Sequence, residues 1–236
     1  MLKHLLFIFL LSFSMHLRAA NSVPSTIFLS SSSVNENSVI GNVIGTLSTA
    51  DADVYDSHTY SLVAGAGGGS NSSFTIAGNQ LLSNIVFNYE FVSSCSIRVQ
   101  TNDGNGGVFE KIFVITVNNM NDVPYSIVLS NSSVNENVSL SSLVGNLSAL
   151  DGDVGDVHTY TLVAGAGSAN NASFTISGNQ LLTATALNFE VKSSYSIRIQ
   201  TNDGNGGTYQ KAFSIAVNDV NEAPLYHDAA VSIVEN

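Results

Sequence analysis

Apolar side chains recur at every second position over short runs of this chain. Cys95, Ile97 and Val99 alternate with Ser96, Arg98 and Gln100, and Tyr195, Ile197 and Ile199 alternate with Ser196, Arg198 and Gln200. That period belongs to a strand with one face in a core and the other in water. A turn, Asn102-Asp103-Gly104-Asn105-Gly106-Gly107, leads into a longer strand with Phe113, Ile115 and Val117 on one face. Asp-Gly beside further Gly and Asn suits a hairpin, because these residues accept positive φ. Further short strands are expected over 26–29, 42–48, 58–63, 74–77 and 80–82, and no stretch carries a 3.6-residue period. About seven short strands in a unit of roughly 100 residues predict an immunoglobulin-like Greek-key β-sandwich in the all-β class.

The unit occurs twice. Pro24, Pro124 and Pro224 are evenly spaced, and the two intervals align without insertion or deletion. Ser33-Val34-Asn35-Glu36-Asn37 answers Ser133-Val134-Asn135-Glu136-Asn137, and His58-Thr59-Tyr60 answers His158-Thr159-Tyr160. After Pro224 the unit starts again with Val231-Ser232-Ile233-Val234-Glu235-Asn236. The expected organisation is a leader over 1–20, tandem sandwiches over 21–122 and 123–222, and the truncated start of a third over 223–236.

Composition narrows the function. Apolar residues make up 44% of the 236 positions and charged residues 11%, enough for each half to bury its own core. The 18 acidic residues against 7 Lys plus Arg give a net charge of −11. This removes the basic surface a nucleic-acid partner requires. The single cysteine, Cys95, allows neither an intrachain disulfide nor a thiolate zinc site. Its counterpart is Tyr195, so both are expected to fill the sandwich interior. Met1-Leu2-Lys3-His4, the apolar run from Leu5 to Phe13 and the ending Arg18-Ala19-Ala20 read as a secretory leader cleaved near Ala19 or Ala20. The run is too short to span a bilayer, which takes roughly 18 or more apolar residues. A secreted, extracellular or cell-surface location follows.

The carboxylates gather at the ends of predicted strands. The first unit has Glu36, Asp51-Ala52-Asp53, Asn88-Tyr89-Glu90, Asp103 and Asn119-Met120-Asn121-Asp122. The second has Glu136, Asp151-Gly152-Asp153, Asn188-Phe189-Glu190, Asp203 and Asp219-Val220-Asn221-Glu222. Singly, such groups are turn chemistry, their side chains bonding nearby backbone N–H groups. Together they offer the six to eight oxygens that calcium takes from carboxylates, amides and carbonyls. In this order, the motifs make the chain resemble tandem cadherin repeats, most closely the cadherin-like repeats of exported prokaryotic proteins. The resemblance covers essentially all of the mature chain. It implies Ca²⁺ held at the junction of successive sandwiches by Glu36, Asn88, Glu90, Asn119, Asn121, Asp122, Asp151, Asp153 and Asp203. Asp51, Asp53 and Asp103, and likewise Glu136, Glu190, Asp219, Asn221 and Glu222, are then half-sites. Asn88 and Asn188 stand where the family has an aspartate, and Asn119 replaces an aspartate in the linker. Fewer anionic ligands predict affinity at the weak, extracellular end of the range.

The resemblance implies no enzyme. His58 and His158 recur with serines nearby, but no nucleophile-elbow pattern occurs and the duplication favours a structural role. The stretches Gly65 to Gly69 and Gly104 to Gly107 open no helix and precede no P-loop lysine, so they read as turns. Asn-x-Ser sequons at Asn71, Asn131, Asn137, Asn146 and Asn171 matter only in a host that glycosylates, and by themselves indicate no function. Two roles remain: a calcium-stiffened adhesion module that binds like repeats or another surface ligand, and a passive spacer of a larger exported protein. The chain contains no Trp, so strand exchange anchored by an N-terminal Trp is not expected.

Overall fold

The computed structural model describes residues 20 to 223. Residues 1–19 of the leader expected over 1–20, and residues 224–236 of the repeat start expected over 223–236, lie outside the described residues. Among the described residues sixteen strands form four four-stranded sheets, and the chain divides into two compact units between Met120 and Asn121.

In the first unit the strands are β1 (Thr26–Leu29), β2 (Ser33–Asn35), β3 (Val43–Ala50), β4 (Thr59–Leu62), β5 (Phe74–Ala77), β6 (Gln80–Ser83), β7 (Ser94–Asn102) and β8 (Val108–Asn118). One sheet has the order β1-β3-β6-β5 and the other β2-β8-β7-β4. The pairs are antiparallel except β2 with β8. The second unit repeats this with β9 (Ser126–Leu129), β10 (Ser133–Asn135), β11 (Leu143–Leu150), β12 (Thr159–Leu162), β13 (Phe174–Ser177), β14 (Gln180–Thr183), β15 (Ser194–Asn202) and β16 (Thr208–Asn218). Its sheets are β9-β11-β14-β13 and β10-β16-β15-β12. Each unit has one strand more than the pattern predicts. The short strand β2 carries a single inward residue, Val34, too little to display a period of two, and only its parallel pairing with β8 defines it.

The alternating residues of β7 supply the centre of the first core. Ile97 and Val99 are fully buried, Ile97 opposite Phe113 and Cys95 opposite Ile115, with Leu47 and Leu81 facing them from the other sheet. Burying a side chain of this size contributes about 1.5–3 kcal/mol. At one place the two cores solve the same problem differently. In the first unit Phe74 meets Phe87 at 5.3 Å between ring centroids, beside the small, buried Cys95. In the second, residue 187 is Leu and Phe174 takes its aromatic neighbour from Tyr195, edge-on at 5.9 Å. Tyr195 is therefore only half-buried, unlike Cys95, with Lys192 Nζ over its ring at 5.0 Å. A phenol keeps its hydroxyl near water while its ring packs.

A partly buried polar network distinguishes the units too. Thr49 Oγ1 lies 2.9 Å from Tyr60 Oη and 2.9 Å from Thr101 Oγ1. Ala149 replaces Thr49 in the second unit, and Thr201 Oγ1 is buried there with no hydrogen bond of good geometry among the described residues, Tyr160 being its polar neighbour. Burial there also raises the Tyr160 hydroxyl above its usual pKa. Restoring a hydrogen bond to such a group is worth about 1 kcal/mol. Ala149→Thr is expected to raise the unfolding free energy of the second unit by that amount, read as a higher denaturant midpoint at unchanged slope, and an unchanged midpoint would show that Thr201 is already satisfied.

Topology decides where the acids go. The registers of Thr26 with Ala50 and of Thr59 with Asn102 bring the start of β1, the end of β3, the start of β4 and the end of β7 to one pole of the sandwich. The ends of β2 and β8, paired as Asn35 with Asn118, lie at the other pole.

Candidate metal centres

Asp51 follows β3, Asp56 precedes β4 and Asp103 follows β7, so all three arrive at the first pole. One carboxylate oxygen from each lies within 4.8 Å of the others, and Asp151, Asp156 and Asp203 repeat the group in the second unit. Asp103 and Asp203 are buried, at 2% exposure. None of the six forms an ion pair with lysine or arginine among the described residues. The partner of Asp51 is His58, Nε2 at 3.1 Å, and that of Asp151 is His158 at 3.0 Å. Each histidine thus ties down an acid, and both sit just ahead of their strands rather than on them.

Backbone amides orient the buried acids. Asp103 Oδ1 accepts from Asn105 N–H at 2.8 Å and Gly107 N–H at 2.9 Å, and Asp203 has the same bonds from Asn205 and Gly207. Asn21 Nδ2 donates to Asp103 Oδ2 at 2.9 Å, and Asn121 Nδ2 to Asp203 Oδ2 at 3.0 Å. These side-chain amides, with the backbone donors, hold both aspartates below the usual carboxylate range against the opposing effect of burial. The N–H of Asp53, then His58, lowers Asp51 similarly. A Cβ at Gly107 or Gly207 would overlap Oδ2 of the neighbouring aspartate, so only glycine leaves that oxygen its place. Gly152 likewise admits the Asp122 carboxylate. Asp53 and Asp153 accept from the backbone of the segment ahead of the unit, Ser22 N–H and Asp122 N–H, each at 2.6 Å.

Glu36 and Glu90 stand within 4.8 Å of each other at the second pole of the first unit, as do Glu136, Glu190 and Glu222 in the second. Glu36, 2% exposed, clamps two segments, accepting from Tyr89 N–H at 2.7 Å and Met120 N–H at 2.8 Å. Glu136 does the same with Phe189 and Val220 N–H, each at 2.9 Å. The Val220 and Phe189 donors lower the Glu136 pKa. For Glu190, a hydrogen bond from its own backbone N–H is outweighed by burial and by the charges of Glu136 and Glu222, and its pKa is raised. Like charges this close favour a proton on one of them or a cation between them, and here only Glu136 is buried while Glu190 and Glu222 keep contact with water.

The residues expected from the sequence fall as follows. Asn121, Asp122, Asp151, Asp153 and Asp203 share the first pole of the second unit. Glu36 and Glu90 meet at the second pole of the first unit. Asn88 Oδ1 is engaged in a turn, accepting from Phe91 N–H at 2.8 Å, and Asn119 is exposed. Sequence reasoning passed over Asp56 and Asp156, although Asp51-x-Asp53-x-x-Asp56 is itself an acidic pattern. The donor set suits a hard cation: closely spaced carboxylate oxygens with amide carbonyls nearby and no thiolate. Asp56 Oδ2 is buried with no hydrogen-bond partner among the described residues, as a ligand oxygen would be.

Tandem all-β sandwiches with acids gathered at both poles make this chain cadherin-like in sequence and in fold. Protocadherin Fat 2 of Rattus norvegicus is 27% identical over 201 residues, 82% of this chain and 5% of that protein. The mouse protein of the same name is 25% identical over 213 residues, 86% and 5%. The chain thus spans about 5% of the length of these curated relatives. The structure of human Protocadherin-24 EC1-2 superposes with a TM-score of 0.66 at 19% identity, over 85% of this chain and 100% of that one. Mouse Cadherin-23 EC22-24 matches with 0.57 at 18%, over 83% and 67%. No family model matches. Among the described residues no helix is long and apolar enough to cross a membrane.

Proposed function

We propose that the chain is a calcium-binding extracellular adhesion module, in which Ca²⁺ fixes the acidic poles of its sandwiches. The observation that supports this most is Asp56 Oδ2, buried beside Asp51 and Asp103 with no hydrogen-bond partner among the described residues; the second unit repeats the three acids, with both Asp156 oxygens accepting from Asn205 Nδ2 at 3.0 and 3.1 Å. In the second unit the ligands are Asp122, Asp151, Asp153, Asp156 and Asp203. The junction set inferred from the family order, including Asn88 and Asn119, is tested by substitution. Calorimetric titration should show saturable binding whose stoichiometry falls in Asp151→Ala/Asp153→Ala by the share of the second unit, while the Asp51, Asp56 and Asp103 group of the first unit still binds. Absence of binding at millimolar calcium would leave the acids as turn chemistry.

An exposed apolar surface on the first unit favours adhesion over a passive spacer. Val39 and Ile40 are 76% and 61% exposed, and Val86 is 53% exposed. Gly41 N–H bonds Ser83 C=O, and Asn37 N–H bonds Phe87 C=O, so the two segments run side by side. The second unit has Ser139 for Val39 and Ala186 for Val86. Beads carrying the chain are expected to aggregate in calcium, and Ile40→Asp/Val86→Asp to abolish the aggregation. Identical behaviour of wild type and variant would favour the spacer.

A further inference from the structure

The five Asn-x-Ser sequons are alike in sequence but not in their surroundings. Asn71 bridges two segments of the first unit, its Nδ2 donating to Val63 C=O at 2.8 Å and its Oδ1 accepting from Arg98 N–H at 3.0 Å. Asn171 makes the same bridge, to Val163 C=O at 2.9 Å and from Arg198 N–H at 3.0 Å. Both amides are half-buried. Asn131 Nδ2 is shared between Ser133 C=O at 2.7 Å and Val144 C=O at 2.8 Å. Asn137 Nδ2 donates to Glu222, against the acidic group of the second unit. In these four the nitrogen that would carry a sugar is part of the fold. Asn146 differs. It is exposed on β11, and its side-chain amide makes no hydrogen bond among the described residues. Its own N–H is satisfied by Ser130 Oγ at 2.8 Å, and Gln180 lies opposite on β14. Ser148, the third sequon residue, is exposed on the same face of the strand. The first unit has Thr46 at this position.

We infer that Asn146 is an N-glycan acceptor, the one sequon whose modification the folded sandwich accommodates. The donor is an oligosaccharide joined to a lipid pyrophosphate. A bond forms from Asn146 Nδ2 to the anomeric carbon, the bond from that carbon to the pyrophosphate oxygen breaks, the lipid pyrophosphate leaves, and the amide gives up one proton. The sugar projects from the outer face of the β9-β11-β14-β13 sheet, where Ser130, Ser148 and Gln180 are polar, and disturbs no core residue. At Asn71 or Asn171 the same group would displace a half-buried bridge, and such bulky, soluble groups belong at surfaces.

The test is the full chain secreted from a eukaryotic host, treated in heavy-oxygen water with the amidase that converts a glycosylated Asn to Asp. The label is expected at Asn146, and the whole mass increment is expected to vanish in both Asn146→Gln and Ser148→Ala. The second variant keeps Asn146 itself, so loss in both separates the sequon from any folding defect. Secreted wild-type protein without a glycan, or label at Asn71, Asn131, Asn137 or Asn171 in place of Asn146, would overturn the inference.

Discussion

Chelating calcium is expected to lower the melting temperature of this protein by roughly 10–20 °C relative to 10 mM calcium. The figure follows from mass action. One site with a dissociation constant of about 10⁻⁴ M, in the weak extracellular range, stabilises by about 2.7 kcal/mol at a hundredfold excess of ligand. A domain of roughly 100 residues shifts by about 4–8 °C per kcal/mol. The sharper form of the prediction is a crossing. Asp56→Asn/Asp156→Asn removes one charge from each three-aspartate pole while keeping side-chain shape. In chelator the variant should melt at or above wild type, because like charges in a poorly solvated group repel. In calcium it should melt below wild type, because an anionic ligand is gone. If the acids served only as turn formers, the variant would fall below wild type by the same amount in both conditions.

The second large effect is expected in the core of the first unit. Ile97→Ala deletes a fully buried side chain at the centre of β7, opposite Phe113. Such truncations cost about 2–5 kcal/mol, the spread reflecting how far the cavity collapses. That is a large share of the ~5–15 kcal/mol by which a domain is stable. The only cysteine in the chain, Cys95, is buried two residues away, so thiol labelling reports opening of this unit alone. At about 1.4 kcal/mol per tenfold, labelling should accelerate from roughly thirtyfold to several thousandfold. Ile97→Val, which costs about 0.5–1.5 kcal/mol, should accelerate it far less. Equal rates in wild type and Ile97→Ala would mean that Cys95 is reached by local fraying rather than by unfolding of the sandwich.

Strand positions were legible in the sequence wherever the buried face was long enough to repeat. Cys95, Ile97 and Val99 on β7 and Phe113, Ile115 and Val117 on β8 are examples, as is their duplication in the second unit. The split of the first edge strand into β1 and β2 was not legible, since one inward valine makes no period. Asp51 and Asp103 were recognised as candidates because short acidic motifs recur in order. Asp56 was missed because its role depends on a turn, closed by its N–H to Asp53 C=O at 3.0 Å, that brings its carboxylate under the other two. The five sequons were equivalent as sequence, and hydrogen bonds between segments far apart in the chain set Asn146 apart. Periodicity, repetition and composition are local properties, and they determined the all-β class, the tandem organisation and the acidic strand ends. Which acids converge, which amides are engaged and which aromatic fills a gap depend on distant segments meeting, and only the tertiary structure decided those.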